Sequence, residues 1–139
     1  LLQLYNYKGT VHSYNKDITE AIKQFMTAVK IAKEVDMKTE VVNEYNYALL
    51  MALKKDRLTY EPILNEAFEY GYSFSDEDLK IINLSFIAST YLDKTYSLDS
   101  SKRDEISKRM SDLYGEDWQL STKELAAKLD AEYSLRNQK

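Results

Sequence analysis

The chain has 139 residues, a net charge of −4 and a pI near 5.1, with 3 Gly, 1 Pro, no Cys and 12 Tyr. That length buries a sizeable core and makes one domain the default, while scarce helix breakers favour an all-α fold. The acidic balance argues against a nucleic-acid surface, the absence of Cys excludes disulfide and thiolate chemistry, and no apolar run reaches the length of a membrane span.

The sequence opens at Leu1 inside an apparent helix, so a fragment of a longer protein is expected. No secretory leader pattern is present, and a cytoplasmic setting is the expectation. Lys outnumbers Arg 15 to 4, and Asn and Tyr are common, a bias that suggests an AT-rich bacterial genome.

Residues 2–35 read as two antiparallel helices, from about Leu2 to Tyr14 and from about Ile18 to Val35. Gly9 inside the first helix costs about 1 kcal/mol relative to Ala, which close approach of a second helix would offset. Asn15-Lys16-Asp17 forms the turn, and Asp17 with Glu20 makes a capping box. Ile18, Ala21, Ile22, Phe25, Ala28, Val29, Ala32 and Val35 form an amphipathic stripe at spacings of three and four.

A third helix is predicted over 38–54, with Val41, Val42, Tyr45, Ala48, Leu49, Ala52 and Leu53 as its stripe. After an Asp56-Arg57-Leu58 turn, Thr59 is the expected N-cap of a fourth helix, with Pro62 in its first turn and Gly71 ending it. A fifth helix opens at Ser75, stapled by Phe74 and Leu79. It runs to Leu92 and is apolar nearly all round, which marks it as the central helix. A sixth spans about Ser101 to Tyr114 and is closed by Gly115. Ser121 and Glu124 form a capping box, with Leu120 and Leu125 as its staple. They open a seventh helix over 121–137 whose stripe is Leu125, Leu129 and Tyr133.

The spacing Tyr5, Gly9, Asp17, Ala21, Phe25 and Ala28 resembles a tetratricopeptide repeat. Residues 38–71 and 75–114 are looser copies: Ala48, Leu64 and Ala67 fit in the second, Ile81, Leu84, Ser85 and Ala88 in the third. The register of the second unit's first helix is open by one residue. The periods, about 39 and 37, exceed the family's usual length near 34. The resemblance implies an antiparallel helix-pair array of about seven helices, capped by the last. A non-repeat helical bundle is the competing architecture.

None of the candidate chemistry forms a catalytic constellation. His12, the only histidine, has no nucleophile or metal-ligand partner at a suitable spacing. Asp76-Glu77-Asp78 suits a helix N-terminus through the helix dipole. Lys102, Arg103, Lys108 and Arg109 are interleaved with acids, as on a solvated face. No cofactor or metal site is expected.

In the resembled family the first helix of each pair lines a concave binding face. By that resemblance Gln3, Asn6, Thr10 and Ser13 would lie on it in the first unit, and Tyr45, Leu49, Ile82 and Phe86 in the next two. The groove either takes a partner segment or is filled by the seventh helix. The implied function is a non-enzymatic protein- or peptide-binding module of a bacterial regulator or sensor. The alternative is a structural or dimerisation segment, a homo-oligomer without a groove.

Overall fold

The computed structural model describes residues 1–119 together with Glu124, Ala127 and Ala131. The described residues are helical, with no strand, and form seven helices: α1 (Leu2–Tyr14), α2 (Ile18–Glu34), α3 (Lys38–Ala52), α4 (Arg57–Tyr72), α5 (Asp76–Ile81), α6 (Ser85–Lys94) and α7 (Ser100–Tyr114). The capping box at Ser121, its staple, and the stripe Leu125, Leu129 and Tyr133 of the expected terminal helix lie outside them. The chain divides into two compact units, Leu1–Ser73 and Phe74–Lys139.

In the first unit α2 packs on both α1 and α3, and α3 packs on α4. The expected stripe of α2 supplies Ala21, Phe25, Ala28, Val29 and Ala32 to the core, and α3 adds Val41, Val42, Tyr45, Ala48, Leu49 and Ala52. Three buried alanines on α2 let its neighbours approach, and each large apolar side chain buried contributes about 1.5–3 kcal/mol. Gly9 serves the same end. A Cβ built on it would stand 2.7 Å from Cε1 of Phe25, so the ring lies against bare backbone.

The first two turns of this unit share one construction. The Asp17 N–H donates to the His12 carbonyl and the Lys16 N–H to Ser13. One helix later, Met37 donates to Ala32 and Asp36 to Lys33. These are the paired bonds of a Schellman motif, which needs a left-handed residue at its centre. Lys16 (φ 61°) and Asp36 (φ 54°) occupy that position, where glycine is usual.

The start of α4 differs from expectation. Asp56, not Thr59, is the N-cap: its carboxylate accepts from the Thr59 backbone N–H at 2.9 Å and from the Thr59 hydroxyl at 2.7 Å. These two bonds hold the Asp56 carboxyl below its usual range. Asp carries both lone pairs and charge to the orphan N–H groups, so it wins the cap over Thr. Pro62 consequently sits inside the helix, and α4 continues through Gly71 to Tyr72.

A larger correction concerns the expected fifth helix. It is two helices, α5 and α6, separated at Ile82–Leu84. Ile82 turns to an extended conformation (ψ 116°), and the Asn83 side chain accepts from the Ser85 N–H at 2.8 Å. Asn competes with helix by bonding nearby backbone, and that local bond wins here. The break frees backbone groups that α7 then satisfies. The Tyr114 hydroxyl lies 2.7 Å from the carbonyls of both Leu79 and Ile82 and accepts from the Leu84 N–H at 3.1 Å. Its burial raises the phenol's affinity for its proton.

Two arginines of α7 do similar work at other ends. Arg103 donates to the carbonyls of Leu92 and Thr95, both at 2.6 Å, and to Leu98 at 3.4 Å. Arg109 donates to the Phe74 carbonyl at 2.6 Å and pairs with Asp76 at 2.9 Å. The α7 residues expected to be a solvated basic face thus include two backbone clamps, while Lys108 pairs with Asp112 in solvent. Asp99 caps α7, accepting from the Lys102 N–H at 2.8 Å.

Candidate functional site

The residues placed on a concave face by the repeat resemblance have separate fates. Gln3 is exposed. Asn6 is half-buried and donates from Nδ2 to Glu44 Oε1 at 2.6 Å. Thr10 is buried, with its hydroxyl bonded to the Asn6 carbonyl of the turn below. The Ser13 hydroxyl reaches Met51 Sδ at 3.3 Å. The polar strip of α1 is therefore engaged with α3, and its partners Glu44 and Met51 lie 38 residues downstream of Asn6 and Ser13.

Tyr45 and Leu49 are fully buried in the first unit, and Ile82 and Phe86 are buried in the second. Tyr45 faces away from the Asn6–Glu44 pair. It donates its hydroxyl to Glu66 Oε2 of α4 at 2.7 Å, and its ring lies 5.9 Å from that of Tyr70. The Lys33 ammonium of α2 sits 5.1 Å from the Tyr45 ring centroid and 4.9 Å from that of Tyr70. Successive residues of a helix are about 100° apart around its axis, so Glu44 meets α1 while Tyr45 meets α2 and α4. Burial first, and the Glu66 bond second, push the Tyr45 phenol well above the ordinary tyrosine range. Burial, then the Asp36 charge, raises the Tyr70 phenol. This cluster ties three helices together, and cation–π contacts of this kind contribute roughly 0.5–2 kcal/mol.

His12 stands 3.8 Å from Asp17 at the first turn, a pairing that carries charge only when the imidazole is protonated. Among the described residues, no group of three or more His, Asp or Glu is arranged to hold a metal ion. No described helix is long and apolar enough to cross a membrane.

The surface that sequence reasoning missed is on the other side of α1. Leu4, Tyr7, Val11 and Tyr14 are 48%, 61%, 37% and 55% exposed. Their spacing of three, four and three aligns them along one helix face, roughly opposite Gly9 and Ser13. Helix α3 shows the contrast: it is apolar on most sides, and nearly every residue from Val41 to Ala52 is buried. Helix α1 carries apolar side chains on two sides and is covered on one. The spacing is itself a sequence signal, set on the same helix as the Gly9 pattern that marks the inner face. Single exposed apolar residues are ordinary, whereas four aligned on one helix mark a contact surface.

No family model matches this chain, and no curated protein and no solved structure matches it. The class that the structure itself defines is a protein all-helical among the described residues, whose first unit stacks helices through tight turns and carries an exposed apolar strip on α1.

Proposed function

We infer that the chain acts by binding another protein or peptide rather than by catalysis. One observation carries this reading: the aligned, exposed strip Leu4, Tyr7, Val11 and Tyr14 on α1. The half-buried Asn6 and Ser13 bond the inner side of the same helix to α3, so the outer strip is presented on a supported element. A rigid helix offering apolar side chains at three- and four-residue spacing suits a helix of a partner laid along it. The tetratricopeptide-like repeat remains our proposal for the architecture of residues 2–71. It rests on Gly9 against Phe25 and on the small residues Ala21 and Ala28. A bacterial regulator or sensor is the proposed setting, and the cytoplasm the proposed compartment.

The test is selection of helical peptides from a displayed library against the full chain, followed by binding to Leu4→Asp and Tyr7→Asp variants. Binders that lose affinity for both variants support the reading. Binders indifferent to both overturn the role of the strip. A second reading, self-association through the same strip, is separated by sedimentation: a concentration-dependent dimer dispersed by Tyr7→Asp would establish it instead.

A further inference from the structure

Charge around the α1 strip goes further than its apolarity. Residues 1–16 contain Lys8, His12 and Lys16 and no Asp or Glu, although the whole chain carries −4. Lys8 lies one turn from Leu4 and from Val11, so its exposed ammonium borders the strip, held over the Tyr5 ring at 5.1 Å from the centroid. Asp17, the first acid of the chain, is half exposed beyond the end of α1, where it caps α2 and stands 3.8 Å from His12. The strip is thus an apolar seam edged by Lys8 along a helix that carries no acid, on a protein that is acidic elsewhere.

We propose that the strip receives an amphipathic helix of a partner protein whose apolar face is flanked by Asp or Glu. The proposal rests on the reading of the chain as a binding module and names the chemistry of what it binds. Apolar side chains of the partner cover Leu4, Tyr7 and Val11, and its flanking acids meet Lys8. Such pairing across a helix–helix seam sets partner choice and orientation more than raw affinity. A second copy of α1 would bring Lys8 against its own like and lacks the acids to answer it.

The experiment uses the full chain and two synthetic amphipathic helical peptides of about 18 residues. They share one Leu/Ile face and differ only in flanks, Glu in one and Lys in the other. The net charge of the protein favours the Lys peptide, so a preference for the Glu peptide reports the local field. We expect the Glu peptide to bind about tenfold tighter at low salt, with the difference shrinking as salt rises. Lys8→Glu, which leaves the apolar contacts intact, should invert the preference. Tyr7→Asp, at an exposed position, should abolish binding of both peptides with the circular dichroism melt preserved.

Equal binding of both peptides, lost on Tyr7→Asp, overturns the acidic partner and leaves the module reading standing. Binding of neither peptide, or binding unaffected by Tyr7→Asp, overturns both. Association with anionic vesicles in place of either peptide, or a dimer broken by Tyr7→Asp, also overturns the proposal.

Discussion

The Phe25 ring rests on the Cα of Gly9, so close that a Cβ there would come within 2.9 Å of three ring carbons. This contact sets the distance between α1 and α2. Gly9→Ala gains about 1 kcal/mol of helix propensity but overpacks a fully buried ring, at a cost of about 1–3 kcal/mol. The expected net result is destabilisation by roughly 1 kcal/mol. Adding Phe25→Leu should make Gly9→Ala nearly neutral, a coupling read by urea denaturation of the four members of the cycle. Additive effects would mean the ring yields easily.

At the first turn, Lys16 holds a left-handed conformation that costs a non-glycine residue about 1 kcal/mol. Lys16→Gly removes that cost and adds chain entropy to the unfolded state, leaving a gain of up to about 0.5 kcal/mol. Lys16→Val, with a β-branched side chain at φ 61°, should lower stability. Thermal midpoints of the two variants should fall on opposite sides of wild type.

Tyr114→Phe keeps the ring and removes the hydroxyl that serves Leu79, Ile82 and Leu84. Backbone groups left without that partner cost about 1–3 kcal/mol, less where water reaches them. The only tryptophan, Trp118, is buried and lies four residues beyond Tyr114, so its fluorescence reports this region. We expect the Trp118 unfolding transition to move to lower denaturant. An unmoved transition would show that the α5–α6 break is held by Asn83 alone.

Tyr45 makes stability pH-dependent on the alkaline side. Its folded pKa is raised by burial and by Glu66, so the folded state keeps the phenol proton where the unfolded chain has released it. Its contribution is complete below about pH 10 and is lost as pH rises from there toward the folded value. The thermal midpoint should therefore fall above about pH 10. Tyr45→Phe should reduce that fall, while losing about 1 kcal/mol at neutral pH with the Glu66 bond.

Local signals in the sequence account for much of the first unit. The three–four spacing on α2 and α3 predicts most of their buried residues because a helix must hide one stripe; Val35, at the end of the expected α2 stripe, is the C-cap and is exposed. The pattern Gly9, Ala21, Phe25 predicts a close crossing because only missing side-chain volume permits one. Asp17 and Ser75 are caps in the structure as in the sequence, each accepting from the N–H three residues on. Where two cap residues compete, as Asp56 and Thr59 do, sequence pattern leaves the choice to geometry.

What the sequence alone determined is helical character, most of the stripes that must be buried, and the first two turns, all consequences of spacing along one chain. Tertiary structure decided the rest. It split the run 75–92, since the Tyr114 hydroxyl that answers the broken backbone arrives from 30 residues away. It engaged the polar strip Asn6 and Ser13 with Glu44 and Met51, and it sent Tyr45 toward Glu66. It also left Leu4, Tyr7 and Val11 uncovered. Which face of an apolar helix stays open depends on how many neighbours reach it, and that number is set only when the helices assemble.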